Sequence, residues 1–193
     1  MFHPKSNALT YNSYMKIFFL IIITTFLLVS CNTYCKSSTE LRQEAICKYL
    51  MKVAGEDYFK GEVCIPTIMI VAEENADSVQ ARYYGDFWVF WYDIASDTLK
   101  TVSGGNHSGC MVLCQQDGTF KVTGFEQTVA GSGNEASARR IFGEHYDVFS
   151  KIHSNDYMRE VARKEQLRDF VKRNDLNVSC YQDYGWPAVA LFK

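Results

Sequence analysis

The run Phe87-Trp88-Val89-Phe90-Trp91-Tyr92 constrains this chain more than any other feature. Six consecutive apolar or aromatic residues leave no polar face, and a strand of that kind must be covered on both sides. Side chains alternate across a strand, so Trp88 and Trp91 are expected on opposite faces. One face would meet helices and the other a second covering layer. A helix over residues 39–54 and the C-terminal segment are the candidates for that cover. The wider segment Val79 to Asp93 reads as one long strand, with a hairpin turned at Gly85-Asp86 as the alternative.

The rest of the chain supplies further elements in order. The 39–54 helix can be capped by Ser38 or Thr39, lays Leu41, Ala45, Tyr49, Leu50 and Val53 on one side, and ends at Gly55. Val63 to Val71 is β-branched, and Pro66 confines it to an edge or to its first residues. Ser96-Asp97 turns the chain into Thr98 to Ser103, the stretch Gly104 to Gly109 interrupts, and Cys110 to Cys114 resumes. Gln116-Asp117-Gly118 is the clearest turn, leading into Phe120, Val122 and Phe125. Ser132-x-x-Glu135 has the form of a capping box ahead of Ala138, Ile141, Phe142, His145, Tyr146, Phe149 and Ile152 at helical spacing. A second helix is expected from Ser154-Asn155 to Asn174, and a short strand at Val178 to Tyr181. Helix, antiparallel meander, then two C-terminal helices is an α+β domain, and the order is compatible with a cystatin-like or nuclear-transport-factor-2-like architecture.

The tail Tyr181 to Leu191 is too apolar to stand in water and is expected to dock, with Trp186 buried and Gly185-Trp186-Pro187 forming a fixed bend. On that expectation Trp186→Ala costs about 3–5 kcal/mol.

Candidate chemistry is sparse. Ser103-Gly104-Gly105-Asn106-His107 lacks the Lys-Ser/Thr and the following helix of a phosphate loop. Its glycines suit a β-bulge with positive φ, and bulges often flank sites, which makes His107 a pocket-rim candidate. Asp86 and Glu126 are carboxylates beside aromatic segments, where a raised-pKa acid can arise. Trp88 and Trp186 complete the candidate pocket, although aromatic residues of this kind more often fill a core. His107, His145 and His153 offer bases, but no cysteine stands in a nucleophile motif, and no Gly-x-Ser-x-Gly elbow exists. His107-x-x-Cys110-x-x-x-Cys114 lacks paired CxxC spacing, so no metal and no cofactor are expected.

Upstream, Met15-Lys16 opens the apolar run Ile17 to Val29, followed by Ser30 and Cys31. Thirteen residues containing Thr24 and Thr25 fall short of the roughly 20 needed to span a bilayer. The positive start, short apolar region and small residue at the cut fit a secretory signal beginning at Met15. Leu28-Val29-Ser30-Cys31 resembles a bacterial lipobox, which implies loss of residues 1–30 and lipidation of Cys31. The polar stretch 31–38 then forms a tether, and residues 39–193 a single domain. Asn32 after the cysteine resembles the outer-membrane sorting pattern and implies the periplasmic face. Loss of Lys5 and Lys16 leaves 18 basic against 22 acidic residues, a net −4 with no basic stripe, which argues against nucleic acid. Of seven cysteines, six then remain for disulfides in an oxidising compartment. Cys110 and Cys114 cannot pair with each other along one strand, being about 13 Å apart.

Gly85 to Phe90, Val102 to His107 and Tyr181 to Val189 resemble stretches of a small family of gut-bacterial proteins, many of them lipoproteins, with no assigned activity. The resemblance implies one intact domain and supplies no catalytic residue. The function expected is a lipid-anchored envelope protein held to the membrane through Cys31, binding an envelope protein or a small-molecule ligand. The alternative is a small-cavity general-base enzyme on a cone-shaped α+β fold.

Overall fold

A computed structural model describes residues 37–74 and 80–192. The expected signal segment, Cys31 and Cys35 lie outside the described residues. The domain is α+β, with a seven-stranded mixed sheet between helical layers.

Helix α1 (Ser38–Lys52) begins at Ser37, one residue before the expected cap. Ser37 and Glu40 close a capping box, each side chain taking the other's backbone N–H. Ser37 and Ser38 therefore belong to the helix start rather than to a tether. α1 buries Ala45, Ile46 and Leu50, whereas Val53 stands half-exposed beyond the last turn. A short 3-10 turn, Ala54–Asp57, follows.

Strand β1 (Val63–Glu74) pairs antiparallel with β2 (Gln80–Ala95) over almost its whole length. β2 passes straight through Gly85-Asp86, so the hairpin alternative does not form. Pro66 sits on β1, whose one strand partner is β2, in keeping with a residue that cannot donate to a ladder. Strands β3 (Thr98–Asn106) and β4 (Gly109–Gln116) lie end to end along the other edge of β2. Between them His107 N–H still donates to the Phe87 carbonyl at 2.7 Å, so the break is a kink in one long path. β5 (Thr119–Gln127) returns on β4 through Asp117 and Gly118, both at positive φ, the two-residue Asp-Gly hairpin the sequence predicts. At the other end β6 (Cys180–Gln182) adds parallel to β3, and β7 (Val189–Ala190) pairs with β6.

The glycines of β3 act differently from the expected bulge. The extra residue in that strand is Val102, and Gly104 and Gly105 keep negative φ. They are small because neighbours close in. A Cβ on Gly104 would lie 2.4 Å from the Val89 carbonyl oxygen, and one on Gly105 would lie 2.2 Å from the Tyr58 hydroxyl.

β2 divides its side chains as the aromatic run requires. Tyr83, Phe87 and Val89 join Ile46 and Leu50 of α1, and Trp91 Nε1 donates to the Gly55 carbonyl at 2.9 Å. Tyr84, Asp86, Trp88, Phe90 and Tyr92 face the C-terminal helices. Trp88 and Trp91 thus occupy opposite faces. Those helices number three, α2 (Asn134–Phe142), α3 (Tyr146–His153) and α4 (Asp156–Arg173). The expected single helix through residue 152 breaks at Gly143, whose φ of +51° no helix accommodates. The Ser132–Glu135 capping box does not form either. α2 starts at Asn134 after a 3-10 turn, and Gly133 gives no side-chain cap. α4 is capped by Asn155, as expected.

Among the described residues the cysteines Cys47, Cys64, Cys110, Cys114 and Cys180 are unpaired, and burial pushes the Cys47 and Cys64 thiols up to about 11. They behave as small core or half-buried residues.

Candidate functional site

Asp86 lies at the point where β3 gives way to β4, and it is 0% exposed. Asn106 Nδ2 donates to Oδ1 at 2.5 Å, Ser108 Oγ to Oδ1 at 2.6 Å and His153 Nδ1 to Oδ1 at 3.1 Å. Trp88 Nε1 donates to Oδ2 at 3.2 Å. Burial pushes the carboxyl upward, and the bonds from His153, Ser108 and Asn106 overcome it, leaving Asp86 below its ordinary value. In return the Asp86 hydrogen bond holds His153 above its ordinary value against burial. His153, at the C-terminal end of α3, also stacks on Phe149.

An imidazole oriented through Nδ1 by a buried carboxylate is half of a nucleophile-activating triad. The other half is missing among the described residues. Ser108 Oγ bonds Asp86 and Asn106 Oδ1, and His153 Nε2 has no hydroxyl or thiol partner.

His107 is not at a pocket rim. It is buried on the α1 side, with Nδ1 3.2 Å from Gln127 Oε1 and Nε2 2.9 Å from the Tyr58 hydroxyl. Gln127 and the Tyr58 hydroxyl thus occupy both ring nitrogens of His107. Glu126 is an exposed ion-pair partner of Arg140. Trp88 is half-buried under Arg159, whose guanidinium lies 4.7 Å from its ring. Asp86 and Trp88 are joined by the indole hydrogen bond, but no described cavity gathers them with His107 and Glu126 into one pocket.

Trp186 corrects the sequence reading most sharply. It is 71% exposed and its neighbour Tyr184 is 97% exposed, while Tyr181 and Leu191 are buried. The tail docks through alternate residues. Tyr181 enters the core, Asp183 meets Arg163 of α4, and Gly185 at φ +77° then turns the chain outward. The bend at Gly185-Trp186-Pro187 exists, but it displays Trp186.

Arg163 went unnoticed in the sequence. It is 3% exposed and uses every donor group, Nε to the Tyr92 hydroxyl at 2.9 Å, Nη1 to Asp183 Oδ2 at 2.9 Å, and Nη2 to Asp183 Oδ1 at 2.7 Å and Thr101 Oγ1 at 2.8 Å. Its guanidinium also lies over Phe90 and Tyr181. Burial acts to lower its pKa, but Asp183 and Tyr92 outweigh it and keep the group charged. Helical periodicity alone gives no signal for such a residue.

Two concave surfaces lie elsewhere on the described residues. One, of about 230 Å³, is lined by Lys100, Thr101, Gln182, Asp183, Tyr184 and Gly185. The other is an apolar groove of about 400 Å³ lined by Met69 and Ile70 of β1 and by Ile152, Tyr157, Met158, Val161, Ala162 and Glu165. At the end of β1, Glu74, Glu144 and His145 bring one donor atom each within 4.8 Å, as a surface cluster in which His145 Nε2 already bonds Glu74. No protein-family model, no curated protein and no solved structure matches this chain.

Two outcomes follow. Asp183→Ala strands a buried guanidinium and is expected to cost about 3–5 kcal/mol, whereas Trp186→Ala is expected to stay within about 0.5 kcal/mol. Urea unfolding of both variants checks this, and equal losses would contradict the clamp. The Asp86–His153 pair contributes fully between the ordinary values of 3.8 and 6.5. Its His153 part is lost as pH rises from 6.5 through the raised folded value, and its Asp86 part as pH falls from 3.8 through the lowered one. His153→Gln is expected to remove the alkaline fall in stability and to weaken the acid limb, because His153 supplies the foremost of the bonds that lower Asp86, as read by urea midpoints across that range.

Proposed function

We propose that the chain is a lipid-anchored bacterial envelope protein, held by Cys31 at the periplasmic face of the outer membrane, and that its domain is a non-enzymatic binding module. The observation that carries the binding reading is where the apolar surface lies. The space between sheet and helices, where a cone-shaped enzyme keeps its cavity, is filled by Tyr92, Phe142, Phe149, Arg163 and Leu167. Tyr157, Met158 and Val161 instead stand exposed along the outer groove beside Met69 and Ile70. Exposed contiguous apolar surface marks interaction sites, and methionine-lined surfaces adapt to a partner's shape. The groove is therefore read as the seat of a protein partner presenting an apolar segment.

The anchor reading rests on Leu28-Val29-Ser30-Cys31. Lipidation of Cys31 is expected to place the chain in the membrane fraction, and Cys31→Ser to release it. Membrane partition of the Cys31→Ser chain equal to that of the parent overturns it. For the groove, a photo-crosslinking residue at position 161 is expected to trap a discrete protein adduct in intact cells, and Tyr157→Asp to abolish it. The same adduct pattern from a crosslinker at the distant hairpin residue Asp117 would remove the groove as the docking seat.

A further inference from the structure

The tail turn holds two aromatic side chains in water beside a small cleft, and we infer that this cleft binds a neutral sugar ring. Tyr184 is 97% exposed and Trp186 71%. Their backbone is nonetheless fixed. Trp186 N–H donates to the Asp183 carbonyl at 3.1 Å, and Gln182 Nε2 donates to the Trp186 carbonyl at 2.9 Å. Asp183 is locked from below by Arg163 and by Thr101 Oγ1 at 2.5 Å. A large aromatic kept exposed on a rigid turn is surface prepared for a contact, with the cost of ordering it already met in the free protein.

The lining specifies the chemistry. Tyr184 supplies a flat face whose negative quadrupole attracts the weakly positive C–H bonds on one side of a pyranose ring. Asp183 accepts three hydrogen bonds from Arg163 and Thr101, and a carboxylate has about four acceptor sites, so capacity remains for a hydroxyl. Lys100 brings further donors to the same wall. The cleft of about 230 Å³ is smaller than the sites of roughly 300–1,000 Å³ that take drug-sized ligands, a size suited to a single ring.

Charge selects the class of ring. Arg163 neutralises Asp183 and Lys100 adds a positive charge, so a cationic ligand is disfavoured. A neutral ring uses both ends of the cleft, its hydroxyls donating to Asp183 and accepting from Lys100, and an anionic sugar, which Lys100 would attract, is the competitor that the titration separates. A lipid surface is the other common environment for exposed Trp and Tyr, but insertion takes a convex apolar tip, whereas Tyr184 lines a concavity that also holds Lys100, Thr101, Gln182 and Asp183. None of the groove residues lines this cleft.

The test is calorimetric titration of the full chain in detergent with maltose, cellobiose, lactose and chitobiose, beside sialyllactose and vesicles of phosphatidylethanolamine with phosphatidylglycerol. Saturable binding of at least one neutral disaccharide is expected, weakened about tenfold by Tyr184→Ala, the loss of one stacking contact. The melting temperature of that variant should not move, because Tyr184 touches water rather than core. Val161→Asp in the groove should leave sugar binding intact. Absence of saturable binding to all four disaccharides overturns the inference, as does binding that Tyr184→Ala leaves unchanged. Preference for sialyllactose alone, or vesicle partition lost with Trp186→Ala in the absence of sugar binding, would overturn it in favour of an anionic ligand or a lipid surface.

Discussion

The buried carboxylate of Asp86 is the interaction on which the rest of the sheet and its helical cover depend. A fully desolvated charge is tolerated when hydrogen-bond donors surround it, and Asp86 recruits its donors from three separate elements. Asn106 and Ser108 flank the break between β3 and β4, so the carboxylate holds the kink from both sides. His153 is the last residue of α3, so the same carboxylate fixes where that helix ends. Trp88, two residues along β2, is oriented by its indole N–H. Removing the carboxylate takes the acceptor from the Trp88 and His153 N–H groups and leaves Ser108 and Asn106 only their bonds to the Asn106 side chain and the Phe87 carbonyl, which is why the site is structural before it is anything else.

A second buried charge organises the opposite end of the same face. Arg159 and Arg163 of α4 lie over Trp88 and Phe90 of β2, at 4.7 and 4.2 Å from the rings. Four helical residues rise about 6 Å and two strand residues about 6.6 Å, so the two arginines keep step with the two rings. Trp88 and Phe90 themselves stack, with ring planes 8° apart. The aromatic strand is therefore covered partly by guanidinium groups rather than by leucines. Arg163 then reaches past the sheet to Asp183, and a helix, a strand and the tail are joined by one side chain.

Much of this was legible from local rules. The apolar run 87–92 demanded cover on both faces, Pro66 demanded an edge, and Asp117-Gly118 demanded a tight hairpin; each is a constraint carried by the residues themselves. What was not legible depended on partners far away in sequence. Arg163 looks like any solvated helix residue until Asp183 and Tyr92 are placed beside it. His153 lay at the margin of a predicted helix, and nothing local marks it as the partner of Asp86. The exposure of Trp186 follows from strand parity, which hydrophobicity alone does not carry. Tyr181 and Asp183 point inward from β6, so Gln182 and Tyr184 point outward, and the left-handed Gly185 keeps Trp186 on that outer side. The Ser132–Glu135 pair had the right spacing, but the chain enters α2 through a 3-10 turn that starts the helix beyond Ser132.

The distribution of chemistry in this domain bears directly on what it can do. General-base catalysis needs a titratable group whose proton can be exchanged with a substrate held in a dry cavity. His107 has closed both ring nitrogens on Gln127 and Tyr58, Asp86 has filled its acceptors, and Glu126 is paired with Arg140 at the surface. These three groups are thus engaged within the scaffold or at its surface, and the remaining surface chemistry includes stacking area, hydroxyl acceptors and apolar groove, beside His153, whose Nε2 has no hydroxyl or thiol partner among the described residues. Stiffness favours the second set. An exposed aromatic on a mobile tail would pay for immobilisation at each binding event, whereas Tyr184 and Trp186 ride on a turn that Arg163 has already fixed through Asp183. The buried ion pair and the exposed aromatics are in that sense one device, with the charge inside setting the geometry that the rings present outside.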